Sequence, residues 1–343
     1  MKTSILKILL LFFVASLLTS CEKVLDIDIG EGDRYVVVNA LPCTDSVLFV
    51  NITYSRFFLD NRPFVPIDNA SVTIDINGTP TTPTQRDGAN YMFSHIVAAN
   101  DTLTLHVTIP GHDEIVAGTR CVALPAMTTP LAEIDTLQPI SQGNISFTLT
   151  DPADQENYYY IYVMEYDSGS QWNMWEEKWD TIDTVVNSYF TCFNHEVTGS
   201  DVNNSEGMMD YFTSLLFSDR NIDGEVYDLL LSIPMFKDTA ENPILRRYTL
   251  VVESLSKDAF RYITDANQAQ GMTSYFAEPA RLYCNLSSGL GIFASIARRT
   301  YELEFTYMVQ PEDTKKQRRI KVSSFADEPS AFQPTFSDSQ HSR

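Results

Sequence analysis

From Thr102 to Ile109 the chain places an apolar side chain at every odd position and a polar one at every even position. That period of two marks a strand with one buried and one wetted face. Val72, Ile74 and Ile76 repeat the pattern and run into Asn77-Gly78, a dipeptide suited to a tight turn. Residues 34–39, 47–54 and 91–96 read as further strands, and Asp87-Gly88 supplies another turn. Short strands at this spacing predict an immunoglobulin-like β-sandwich over 34–128.

Two prolines bracket the stretch 124–130, LPAMTTP, which reads as a break between domains. Beyond it, 144–149, 158–166, 185–193, 225–233, 247–255 and 301–309 read as strands of a second, larger β domain over 129–310. One helix is predicted near 256–269, where Ser256 can cap and Phe260, Tyr262 and Ile263 share roughly one side. The fold class expected is therefore mostly β, with one short helix. A polar tail, 311–343, carries the basic run 315–321 and reads as a solvated extension.

The first residues are of another kind. Lys2 and Lys7 flank the start of an apolar run, and Leu18-Thr19-Ser20-Cys21 follows it. This is a secretory signal over 1–20, and its last residues match the bacterial lipobox. The expectation is that Cys21 becomes the N-terminus and carries fatty acyl chains of the palmitate kind, so that the protein is anchored to a membrane without spanning it. Residues 21–33 then read as an acidic tether.

Removing 1–20 takes away two lysines and moves the formal net charge from −21 to −23. Such a surface repels nucleic acid, which is set aside as a partner. Cys43, Cys121, Cys192 and Cys284 remain for an oxidising compartment. Pairings 43–121 and 192–284 are one reading, and four buried thiols are the other.

All three tryptophans, Trp172, Trp175 and Trp179, fall within ten residues, among Gln171, Asn173, Glu176, Glu177 and Asp180. In a helical turn the three share one face; in an extended segment only Trp175 and Trp179 do. They read either as sandwich core or as a platform for a glycan or peptide ligand. Asp219, Asn221 and Asp223 before Gly224 resemble the opening of a calcium loop, yet Leu230 stands where a bidentate carboxylate belongs; the alternative is a tight turn into a strand. No GxSxG, HExxH or phosphate-loop sequence occurs, so neither catalysis nor a cofactor is expected.

The stretch Phe276-Ala277-Glu278-Pro279-Ala280-Arg281-Leu282-Tyr283-Cys284-Asn285-Leu286, continuing through Ser287-Ser288-Gly289-Leu290-Gly291-Ile292-Phe293, resembles the hallmark of Bacteroidota lipoproteins grouped as domain-of-unknown-function family 4249. Cys21-Glu22-Lys23-Val24-Leu25-Asp26-Ile27, the segments 56–64 and 66–72, and Ser256-Lys257-Asp258 are similar to the same family. Cys284 departs from its usual serine, and Ser287-Ser288 from an asparagine-containing pair. The resemblance implies an outer-membrane, cell-surface lipoprotein that assists a TonB-dependent receptor in nutrient uptake. An adhesion or envelope-structural lipoprotein with no transported ligand is the alternative. The short O-glycosylation sequon of that phylum would place sugars on Ser46, Thr102, Thr136, Thr181, Thr184 and Thr239. The physics of Gly289 and Gly291 favours a packing role for the hallmark.

Overall fold

The computed structural model describes residues 34–56, 60, 62–135, 141–173, 178–198, 211–235, 245–271 and 281–307. Its first eight strands are β1 (Val36–Ala40), β2 (Val47–Tyr54), β3 (Ser71–Ile76), β4 (Thr79–Thr81), β5 (Gln85–Asp87), β6 (Asn90–Ile96), β7 (Thr102–Thr108) and β8 (Ile115–Arg120). They form two sheets in the orders β1-β2-β6-β5 and β4-β3-β7-β8. In immunoglobulin lettering these are A-B-E-D and C′-C-F-G, the expected sandwich. The alternation explains it: Leu103, Leu105 and Val107 of β7 and Val72, Ile74 and Ile76 of β3 all enter one core, against Leu48, Val50 and Ile52 of β2. Full burial of such a side chain stabilises the fold by about 1.5–3 kcal/mol.

The remaining strands are β9 (Ala126–Met127), β10 (Leu131–Asp135), β11 (Ser141–Thr150), β12 (Tyr158–Asn173), β13 (Lys178–Asn187), β14 (Phe190–Cys192), β15 (Tyr211–Phe212), β16 (Leu215–Ser218), β17 (Val226–Met235), β18 (Leu245–Leu255), β19 (Leu290–Phe293), β20 (Ile296–Leu303) and β21 (Thr306–Tyr307). One sheet runs β15-β14-β17-β11-β10-β21 with β9 beside β11; the other runs β13-β12-β18-β20 with β16 beside β12. Ile145, Phe147 and Leu149 face Tyr159, Ile161 and Val163 across a second core, so this region too is a sandwich. The single strand expected over 185–193 is two strands in different sheets. Ser188 donates its N–H to the carbonyl of Val163, and the chain then crosses to β14, where Cys192 pairs with Leu231.

Helix α1 (His195–Thr198) is a single turn, and α2 (Lys257–Gly271) is the helix expected near 256–269. Ser256 caps α2, its Oγ accepting from the Ala259 N–H at 3.3 Å. Among the described residues no helix is long and apolar enough to cross a membrane.

One strand leaves its own region. β19 pairs in parallel with β1, with Val37 against Leu290 and Ala40 against Phe293, and so extends the first sandwich from far along the chain. Only glycine permits the approach at 291: φ is +115°, and an added Cβ would lie 2.0 Å from the Val38 carbonyl oxygen. Gly289, at φ +81°, has the Val36 carbonyl 2.8 Å from the same imagined atom. After Ala294 and Ser295 the chain enters β20 of the second sandwich, and Ser295 ties the two regions together. Its Oγ accepts from Val122 N–H, its N–H donates to Thr119 Oγ1, and its carbonyl accepts from Ser256 N–H.

Candidate functional site

Trp172 and Trp179 lie on the two paired strands of a hairpin and not on a helix. Residues 158–168 of β12 pair with β18, whereas 169–173 pair, among the described residues, only with β13. Among the described residues the end of the hairpin is therefore two-stranded. Its register sets Trp172 opposite Trp179, Gln171 opposite Asp180 and Asn173 opposite Lys178. Directly opposed positions share one face of a ladder, so the two indole positions fall together on one face and the amide and charged positions beside them on the other. Trp175 lies outside the described residues. Cross-strand register sets Trp172 beside Trp179, and the shared face of Trp175 and Trp179 expected for an extended segment falls outside the described residues.

Farther down β13, Thr181, Thr184, Val185 and Val186 are exposed, as is Tyr189 just beyond it. Consecutive exposed residues on a strand mean that both of its faces are wet there. Among the described residues β13 is an edge strand of its sheet, the kind of strand that can take another chain. This ribbon and edge form the first candidate site, suited to gripping a planar apolar face or an extended segment.

A second cluster gathers at one rim of the second sandwich. The carboxylates of Asp151, Asp219 and Asp223 offer oxygens all within 4.8 Å of one another, the first two buried and the third exposed. Asp151 accepts from Tyr159 Oη at 2.6 Å and from Gly224 N–H at 3.0 Å. Asp219 accepts from the Asn157 N–H at 2.6 Å, and Asp223 from the Asp154 N–H at 3.1 Å. Burial, then the neighbouring Asp151 and Asp223 charges, push the Asp219 carboxyl up despite its hydrogen bonds to Asn157. Burial and the hydrogen bond to Asp151 push the Tyr159 phenol up as well.

Asn221 does not join this cluster, since its Nδ2 donates to the Glu196 carbonyl at 3.0 Å. Leu230 stands on β17, so a strand follows the turn. Three carboxylate oxygens suit a hard cation, and the same hydrogen bonds knit loop 151–157 to turn 219–224. Asp151 escaped the sequence reading because a calcium loop gathers ligands within one short stretch, and Asp151 lies on another.

The hallmark stretch forms a clasp. Tyr283 Oη donates to Asp258 at 2.7 Å, and Asn285 Nδ2 reaches the other oxygen of that carboxylate at 3.2 Å. The Asn285 amide also donates to the Phe293 carbonyl and accepts the Phe293 N–H, at 2.8 and 3.0 Å. Asp265 accepts the Tyr283 N–H, and the Arg261 guanidinium stacks 4.1 Å from the Tyr283 ring centre. Ser256-Lys257-Asp258 and the glycine-bearing segment thus belong to one device that fastens α2 and β19.

The four thiols Cys43, Cys121, Cys192 and Cys284 are free, so neither pairing 43–121 nor 192–284 is formed. Cys192 is packed in the second core, while Cys284 lies in the hallmark loop with its Sγ 4.0 Å from the Gly289 carbonyl. The Cys43 Sγ is directed at the Thr44 carbonyl, and the Cys121 thiol is engaged with Ser295. Burial pushes the Cys121 and Cys192 thiols up to about 11, which keeps them neutral.

Of the sequon residues, Thr102, Thr181 and Thr184 are exposed and Ser46 is half-buried. Thr136, Thr239 and Cys21 lie outside the described residues. His95 and Asp101, 2.8 Å apart, close the turn after β6: Asp101 also accepts from Asn77 and from the Ala98 N–H. Burial acts to raise the Asp101 carboxyl, but these hydrogen bonds outweigh it and hold the group below the usual carboxylate range.

With this geometry in place, the comparison with known families is direct. Residues 22–302 match the family described as domain of unknown function 4249, and the chain belongs to that family. Among curated proteins the chain has no match.

Proposed function

We propose that this protein is a lipid-anchored binding module of the outer-membrane surface, serving as an accessory or substrate-capturing partner of a TonB-dependent receptor. The observation that carries the reading is the end of the β12–β13 hairpin, two-stranded among the described residues, with Trp172 opposite Trp179. Two aromatic positions opposed on one face of a ladder suit a sugar ring or peptide backbone. The lipobox at Cys21 supplies the anchor in this reading.

The first sandwich supports the same reading as a spacer. The chain comes in at Tyr35, and the second sandwich meets the first at the opposite end of β1, where Cys43 bridges to Ile296. A module built this way carries its ribbon on the region farther along the chain from the lipid. No catalytic role is assigned.

The deciding experiment purifies the tagged, lipidated protein from native outer membrane in mild detergent and identifies what comes with it. A stoichiometric TonB-dependent barrel is the expected result. Recovery alone, or with surface proteins only, overturns the uptake reading in favour of an adhesion or envelope-structural lipoprotein.

A further inference from the structure

The incoming end of the first sandwich exposes apolar groups that no part of the proposed ligand site uses. Tyr35 is 56% exposed, Phe64 54% and Val65 47%, in a chain whose other large side chains on these strands are mostly interior. Backbone contacts bring the three together. The Tyr54 N–H donates to the Val65 carbonyl at 3.0 Å, and the Ser55 N–H donates to the Tyr35 carbonyl at 2.7 Å. Thr53 bridges to Pro66, and the Tyr54 ring lies 6.3 Å from the ring of His112 in the turn between β7 and β8. Loop 62–66 (Arg-Pro-Phe-Val-Pro) thus stands beside the residue at which the chain arrives, with Arg62, Pro63, Phe64 and Val65 all exposed.

Position on the chain identifies what covers this surface. Tyr35 lies fourteen residues after Cys21. At no more than about 3.6 Å per residue, that length cannot carry Tyr35 farther than roughly 50 Å from the lipid, whatever path it takes. Tethering within that radius raises the effective concentration of the bilayer so far that a contact too weak to hold a free protein is occupied.

The side chains are those that bilayer interfaces select. Tyrosine offers an apolar ring with a polar tip, and phenylalanine and valine enter the boundary. With a formal charge of −23 on the mature chain, attraction to anionic lipid is not the driving force; burial of the apolar loop is.

We propose that this end of the first sandwich, Tyr35 together with loop 62–66, seats on the lipid surface that holds the anchor. The inference rests on the lipoprotein reading and adds an orientation to it: the first sandwich stands on the bilayer by its incoming end, and the junction with the second sandwich faces away.

The test uses the full mature chain, lipidated at Cys21, in phosphatidylcholine–phosphatidylethanolamine vesicles with plain or brominated acyl chains. Phe64→Trp adds an indole to the loop, read as the difference from the parent protein. The expected result is that brominated lipid lowers the added emission at least about twofold while leaving the parent signal nearly unchanged. Hydrogen exchange on the unsubstituted protein gives a second measurement, with amides of residues 62–66 slower on vesicles than in the soluble chain lacking residues 1–21. An added indole untouched by bromine, with unchanged exchange, overturns the proposal. So does protection that arises only when a receptor barrel is added, because the surface is then a protein contact. Intact mass separates this failure from that of the parent reading: without acyl chains on Cys21 both fall, and with them only the lipid seat falls.

Discussion

The clasp at 283–293 and the ribbon at 169–182 are both conspicuous in sequence, and they are built on opposite physical terms. In the clasp, Asp258 is held by Tyr283 and Asn285, Asn285 is held by Phe293, and two glycines lie against carbonyls of β1. The ribbon has no third strand among the described residues, and β13 displays valines to water. The motif that identifies the family is therefore where the fold is fastened, while the proposed ligand site lies where, among the described residues, only two strands pair. A signature in sequence and a site of action are different things, as expected when function is grafted onto a scaffold.

That contrast predicts a ranking of effects. The largest belongs to Gly291→Ala, which drives a Cβ into the Val38 carbonyl. It should cost about 4 kcal/mol or more, seen as lost soluble yield or a steep fall in Tm. Gly78→Ala, with φ +83° but open space around it, should cost only about 1 kcal/mol. Equal losses would mean that close approach is not what the clasp requires.

Next comes Asp258→Ala, which leaves Tyr283 Oη and Asn285 without their shared acceptor. A loss of about 2 kcal/mol in urea unfolding is expected. Tyr283→Phe in the same background should add little, since the partner is already gone.

Two carboxylates sharpen the comparison through pH. The Asp101 carboxyl is lowered in the fold, so its ionisation stabilises: the contribution is present above the ordinary carboxylate value and is lost as pH falls through the depressed one. The Asp219 carboxyl is raised, so its contribution runs the other way, present at acid pH and lost as pH rises through the raised value. Asp101→Asn should therefore lower Tm at pH 7, and Asp219→Asn should raise it or leave it unchanged. A fall for Asp219→Asn at pH 7 would show that the acidic cluster holds something its charges require, such as a cation, and calcium titration of Tm in the parent protein would then find it.

The smallest stability effects belong to the ribbon. Val185→Ser with Val186→Ser should move stability by no more than about 0.5 kcal/mol. The same double change, and Trp172→Ala, should reduce recovery of a receptor or ligand from native membrane. A large Tm loss with unchanged recovery would return the tryptophans to the core reading. Acrylamide quenching of the parent protein checks the same point, with strong quenching expected.

How much of this was legible depended on how far apart the causes lie in the chain. β2, β3 and β7 declared themselves because one wet and one dry face write a period of two into the residues themselves. The run 185–193 looked like one strand because its apolar residues are continuous; the break lies at Ser188, whose bond to Val163 no local pattern announces. Asp151 was missed for the same reason, and so was the parallel pairing of β19 with β1. The glycines hinted at close approach, but the surface approached lies at the other end of the chain.

That pairing also orders events in time. The outer edge of β1 is completed by residues near 290, so a chain made from its N-terminus holds the first sandwich one strand short until its synthesis is nearly done. Closing it waits on nearly the whole polypeptide, a contact of very high sequence separation and correspondingly slow formation. Until then β1 offers an open ladder to any neighbouring strand, the situation in which nascent chains aggregate or need a holding chaperone. Chains cut short before Phe293 should thus be cleared as unfinished goods, although residues 34–128 already spell an immunoglobulin-like domain.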